Sequence, residues 1–291
     1  MIDSWFSAVA IAAMIGCLVY PLLKKAPSSL TIAIGLFVIF LIELADYQTV
    51  ITDLAFRPTY IQNGDSIYTL FTSIFLHANF FHFLSNAFIL VMIGLIFEER
   101  IGAHRFIAVF LIAGLAGNLV YALANYGDDG LVLGASGAIS GILGMILVLY
   151  PRERTGMMMF PIPIPNLPVW GLVLLMMAWQ LLFIIDPSSH VAWQAHVGGF
   201  IAGAAVTPLV MRMGIKEGGA RSEAIDIMLF ASTPKEREIA ERIRGESVPG
   251  VRDAWLEELA RTARCPKCKT GLVAFRGGLK CESGHRFRVG R

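Results

Sequence analysis

Seven long apolar runs, parted by short polar breaks, leave this chain few ways to fold. They lie at about 4–23, 30–48, 80–97, 105–125, 134–150, 168–185 and 192–213, each long enough to cross a bilayer or nearly so. With 56% of residues hydrophobic and only 16% charged, a soluble domain is excluded. Inside hydrocarbon every backbone N–H and C=O must find a partner within the chain, and a helix is the simplest segment that does so. The expected fold is therefore an all-α polytopic membrane protein.

The breaks between runs carry an orientation signal. Lys24, Lys25, Arg100, Arg105, Arg152, Arg154, Arg212 and Lys216 fall in alternate connections, while the opposite ones hold Asp46, Asp53, Asp65, Asp128 and Asp129 against Arg57 alone. The positive-inside rule then predicts an outside N-terminus and a cytosolic C-terminus. The first run is read as a helix rather than a signal peptide, because Asp3 stands where a basic segment belongs and the lysine pair follows the run. A net charge of +2 adds nothing that topology does not explain.

Two connections are unusual. Residues 49–79 mix aromatic and polar side chains without a full span, as a re-entrant or amphipathic element would. Met157 to Pro165 is apolar but broken by Pro161, Pro163 and Pro165, which predicts a stiff interfacial linker rather than another helix.

Polar residues at bilayer depth are costly and usually functional, and two stand out among small neighbours. Ser136 lies in Gly134-Ala135-Ser136-Gly137, within the first turn of the fifth run, where unpaired N–H groups and the helix dipole favour an oxyanion. His196 lies in Ala195-His196-Val197-Gly198-Gly199, with Gly199 and Gly203 at i+3 and i+7 on the same face. The fifth and seventh runs are parallel, so both residues sit at similar depth, and a serine nucleophile with its base is geometrically allowed. In the third run His82 and Asn86 are i and i+4 near the same membrane face, candidate donors to an oxyanion. Taken singly, each piece also fits helix packing or a buried structural histidine.

Beyond Met213 the chain turns charged. Thr233-Pro234-Lys235-Glu236 reads as a capped helix start, and a second helical pattern covers 249–262. Cys265, Cys268, Cys281 and His285 follow, with Gly277-Gly278 turning an apparent hairpin between the two pairs. Their spacing predicts a Cys₃His structural zinc ribbon, with incidental free thiols as the alternative. So small a segment would scarcely fold without metal. Solvated charge around such a module accounts for its lysines and arginines, and no nucleic-acid partner is expected.

Taken together the membrane motifs resemble the rhomboid family of intramembrane serine proteases across about residues 30–213. The family's Gly-x-Ser-Gly pattern appears at Gly134 to Gly137, its Ala-His-x-x-Gly-x-x-x-Gly pattern at Ala195 to Gly203, and its His-x-x-x-Asn pattern at His82 to Asn86, with His77 upstream. The resemblance implies a Ser–His dyad without a third carboxylate, with no catalytic cofactor. Ser136 attacks the scissile carbonyl, His196 moves the proton, and His82, Asn86 and the Ser136 N–H bind the oxyanion. His77, Gly134, Gly137, Gly199 and Gly203 support the site. Two departures are visible: Ser140 replaces the aromatic that many relatives carry four residues after the nucleophile, and a Trp-Arg pair found in some members has no counterpart between Asp53 and His77.

The implied layout is an extra N-terminal transmembrane helix at 1–27, a six-helix rhomboid-like core at 28–215, a charged helical linker at 216–264 and a zinc ribbon at 265–291. Expected partners are the lipid bilayer and single-span or polytopic membrane-protein substrates, and the expected location is a prokaryotic plasma membrane. The alternative function is a catalytically inactive relative that binds client transmembrane helices. A transporter or metal protein using His77, His82 and His196 is a third reading.

Overall fold

The structure, a computed structural model, describes residues 4–159, 162–182, 192–212, 223–246, 248–275, 277–281, 283 and 285–289. Each apolar run becomes a helix. In chain order these are α1 (Trp5–Lys24), α2 (Ser28–Ala45), then three short helices α3 (Tyr47–Leu54), α4 (Pro58–Asn63) and α5 (Thr69–Thr72), followed by α6 (Phe80–Ile101), α7 (Ala103–Ala124), α8 (Ser136–Leu149), α9 (Val169–Leu182) and α10 (Trp193–Arg212). Five of them, α1, α2, α6, α7 and α10, are long and apolar enough to cross a membrane, and α8 and α9 are shorter apolar helices. The ends expected at 185 and 213, and the boundary expected at 215, fall outside the described residues. The chain forms two compact units, Met1–Gly214 and Ile215–Arg291.

In the first unit α8 is the central helix, buried from Gly137 through Ile146. Its packing against α10 is set by glycines. A side chain on Gly199 would strike the Gly137 carbonyl, one on Gly203 the Gly141 carbonyl, and one on Gly144 the Phe200 carbonyl. These contacts advance together along both helices, so α8 and α10 run parallel with their backbones nearly touching, as small residues permit in a membrane. Because backbone cannot step aside, Gly203→Ala is expected to cost about 1–3 kcal/mol of stability, read as a lower unfolding midpoint in detergent.

The first helix docks on α2, where Gly35 faces Cys17, and on α3, where the Ser7 hydroxyl donates to Asp53 Oδ2 at 2.7 Å. Glu98 reaches from α6 to the start of α2. Its carboxylate accepts from the Ser28 N–H and, at 2.8 Å, from the Ser29 N–H, filling the cap that Pro27 cannot provide.

The connection at 49–79 is built of α3, α4, α5 and a 3₁₀ turn at Ser73–Phe75. Long-range bonds hold it. The Thr72 hydroxyl donates to the Leu54 carbonyl at 2.6 Å, and Asn118 of α7 donates to the Leu70 carbonyl (2.8 Å) and to the Ser73 hydroxyl (3.0 Å).

The proline-broken linker is instead a two-stranded hairpin, β1 (Arg154–Met159) antiparallel to β2 (Ile162–Pro168). Successive strand N–H groups point to opposite edges, so Pro163 and Pro165 turn their donorless nitrogens to one edge and leave Ile162 and Ile164 to donate at the other. A bulge between Thr155 and Met157 shifts the register. Alternating prolines thus permit an edge strand that their number alone argues against.

The second unit contains β3 (Glu223–Ile225), α11 (Pro234–Gly245), α12 (Pro249–Thr262), β4 (Leu272–Phe275), β5 (Gly278–Cys281) and β6 (Arg286–Val289), with sheet order β3-β6-β5-β4. The capping box at Thr233 and Glu236 is present, with bonds of 3.2 and 2.9 Å. Helices and sheet share one core of Phe230, Ile239, Ile243, Leu256, Leu259, Leu279 and Phe287.

Candidate active site

Ser136 opens α8, and Ala135 before it supplies no side-chain cap. The first-turn N–H groups therefore face the Ser136 side chain's surroundings with no intrahelical partner. His196 lies one turn into α10 and is 7% exposed. Through the glycine contact of the two helices its Nε2 comes to 2.7 Å from Ser136 Oγ. His196 Nδ1 is buried with no hydrogen-bond partner among the described residues. Ser140, one turn below Ser136, is fully buried.

The loop before α8 is pinned from two sides. Gly134 donates its N–H to the Ser73 carbonyl at 2.9 Å, and Phe56 and Val132 exchange backbone bonds of 3.1 and 2.8 Å. Arg57 and Thr59 grip Asp129, with Thr59 Oγ1 donating to Oδ1 at 2.8 Å and Arg57 pairing with Oδ2 at 3.1 Å. Gly134 has a φ of +124°, and a Cβ there would sit 2.7 Å from His82 Nε2 and Cε1. Only glycine suits both the backbone and the space.

His82 is thereby placed against the segment leading to Ser136. Its N–H donates to Asn79 Oδ1 at 2.9 Å, the cap of α6, and its Nδ1 accepts from the Ala78 N–H at 3.4 Å. Asn86, buried one turn on, spends one amide hydrogen on the His82 carbonyl at 2.8 Å and keeps a second. His77 is fully buried, its ring meeting the His82 ring edge-on at 5.1 Å between centroids. Of the supporting glycines, Gly137, Gly199 and Gly203 lie in the α8–α10 contact and Gly134 against His82.

Sequence reasoning passed over Glu43 and Asn118. Both are polar residues within apolar spans, the signal that singled out Ser136 and His196, and both are buried with bonds to the loops around the site.

In the second unit Cys265, Cys268, Cys281 and His285 converge, their ligand atoms all within 4.8 Å of one another. Cys268 Sγ is 3.5 Å from Cys281 Sγ, and His285 Nδ1 is 3.3 Å from Cys281 Sγ and 3.8 Å from Cys265 Sγ. These are not disulfide distances. They match the edges of a tetrahedron around zinc, about 3.8 Å between sulfurs for Zn–S bonds of about 2.3 Å. The Thr270 hydroxyl, 3.1 Å from Cys268 Sγ, holds that thiol below its ordinary value, at about 5.

Residues 64–213 match the Rhomboid domain model, a span that includes Ser136, His196, His82 and Asn86. RHOMBOID-like protein 5 of Arabidopsis thaliana is 31% identical over 150 residues, covering 49% of this chain and 43% of that protein. The mitochondrial Rhomboid protein 1 of Saccharomyces cerevisiae is 30% identical over 135 residues, covering 45% and 38%. Rhomboid protease GluP of Bacillus subtilis is 28% identical over 188 residues, covering 63% and 35%. The chain thus spans less than half the length of these relatives. A polytopic helical membrane protein with the Rhomboid domain over half its length belongs to the rhomboid family.

Proposed function

We propose that this chain is an intramembrane serine endopeptidase that hydrolyses peptide bonds in or near transmembrane segments of membrane proteins. The observation that carries the reading is the 2.7 Å approach of His196 Nε2 to Ser136 Oγ. At that distance the imidazole can take the hydroxyl proton as Oγ attacks the scissile carbonyl, then return it to the leaving amine. The tetrahedral oxyanion forms beside the N-terminus of α8, where the Ser136 N–H, His82 Nε2–H and the spare Asn86 amide hydrogen are available as donors.

A peptide bond inside a stable helix is shielded by its own hydrogen bonds. The favoured substrates are single-span or polytopic proteins whose spans carry helix-weak residues at the depth of Ser136. The distribution of lysine and arginine supports an outside N-terminus.

No metal enters this chemistry. In the second unit the three thiolates and His285 suit a structural zinc ion, which would cross-link the Cys265 turn to the β5–β6 end of the sheet.

The test is fluorophosphonate labelling of the full chain in liposomes, alongside cleavage of a single-span substrate. Wild type is expected to label and cleave, and Ser136→Ala to do neither. Cleavage retained by Ser136→Ala overturns the proposal, and a folded wild type inert in both assays favours a non-catalytic binder of client helices.

A further inference from the structure

His82 has two ring nitrogens, and only one tautomer makes it an oxyanion donor. The Ala78 N–H points at Nδ1, 3.4 Å away, which makes Nδ1 the acceptor and puts the proton on Nε2, the nitrogen that lies against Gly134. A backbone amide can select a tautomer only if its own loop is fixed. The preceding amide, His77 N–H, is fixed by Glu43: it donates to Oε1 at 3.0 Å, across a sequence separation of 34 residues.

Glu43 is fully buried near the end of α2, and its second oxygen has no hydrogen-bond partner among the described residues. Isolated carboxylates are expensive at such a position, and packing gains nothing from one. Its single described bond reaches the loop at 76–79, where two consecutive amides lead from Glu43 to the His82 ring. The His77 ring, edge-on to that of His82, fills the space behind it.

We infer that Glu43 is a positioning residue for catalysis: its carboxyl oxygen holds the His77–Ala78 backbone so that the Ala78 amide keeps His82 in the Nε2–H tautomer, aimed at the oxyanion. The inference rests on the protease reading above. It requires an acceptor at the reach of Glu43, not a negative charge there.

Two substitutions separate reach from charge. Glu43→Gln keeps a carbonyl oxygen at the same reach and cannot ionise. Glu43→Asp keeps an ionisable carboxyl and withdraws its oxygens by one methylene. In liposomes, Glu43→Gln is expected to hold kcat within about threefold of wild type. Glu43→Asp is expected to lose about 30-fold or more in kcat with KM within about twofold, the pattern of a lost transition-state interaction. In a His82→Ala background the Asp exchange is expected to cost nothing further, since its effect runs through that ring.

An active Asp variant with an impaired Gln variant would show that charge matters, and would overturn the inference. Equal activity of both, or an Asp penalty that persists undiminished in His82→Ala, would also overturn it while leaving the protease reading intact. A wild type that neither labels nor cleaves removes both together. Circular dichroism and the unfolding midpoint of each variant identify losses that come from misfolding, and the His82→Ala background then decides with the Gln variant alone: any penalty there above threefold counts against the inference.

Discussion

Replacing His196 with alanine is expected to lower kcat for cleavage of a single-span substrate by about 10⁴-fold, with KM changed by no more than about threefold. A serine hydroxyl is a weak nucleophile at its ordinary pKa, and the 2.7 Å contact with Nε2 places an imidazole to take its proton. The first-turn amides of α8 and the His82 donor remain in the variant, so some rate above background survives. Under the proposed mechanism Ser136 and His196 act as one unit, so the double variant Ser136→Ala/His196→Ala should be no slower than either single one. A His196→Ala protein that retained a tenth of the wild-type kcat would show that another group serves as base. Fluorophosphonate labelling gives an independent readout, since it reports the reactivity of Ser136 without requiring a substrate helix to unwind.

The parts of this site that were legible in the sequence share one property: they are encoded locally. Gly134-Ala135-Ser136-Gly137 specifies a helix start with a serine on it, and His196, Gly199 and Gly203 specify a face. The match of the two faces follows from glycines that admit backbone contact, so even the pairing of α8 with α10 could be read. The capping box at Thr233 and Glu236 was equally local.

What was not legible depends on partners far away in the chain. The connection at 49–79 is held by Thr72 on the Leu54 carbonyl, by Asn118 on Ser73 and by the Phe56–Val132 bridge, none of which leaves a periodic trace. Glu43 was hidden for a different reason. One carboxylate barely lowers the hydropathy of its span, so it disappears into the average that identifies the span, and its meaning comes only from the loop amide it meets. The hairpin of β1 and β2 was obscured because proline count suggests a linker, whereas proline spacing is what permits the strand.

The second large effect is expected in the tail. Purified full-length protein should carry one zinc per chain, and removing it with a chelator should unfold residues of the second unit, seen as rapid proteolysis after Ile215 and loss of amide protection. The magnitude follows from two scales: structural zinc contributes about 10–16 kcal/mol of apparent binding free energy in small modules, while a whole domain is stable by only about 5–15 kcal/mol. The core of Phe230, Ile239, Leu256, Leu279 and Phe287 is too small to absorb such a loss, and Cys265 and Cys281 are themselves among its buried residues. Without the ion, three thiols and an imidazole would be left within 4.8 Å of one another, joined by weak sulfur hydrogen bonds. Cys265→Ser combined with Cys281→Ser should reproduce the chelated state. If instead metal analysis finds no stoichiometric zinc while the tail resists protease, the hydrophobic core alone suffices, and the four side chains are neighbours through the fold rather than ligands.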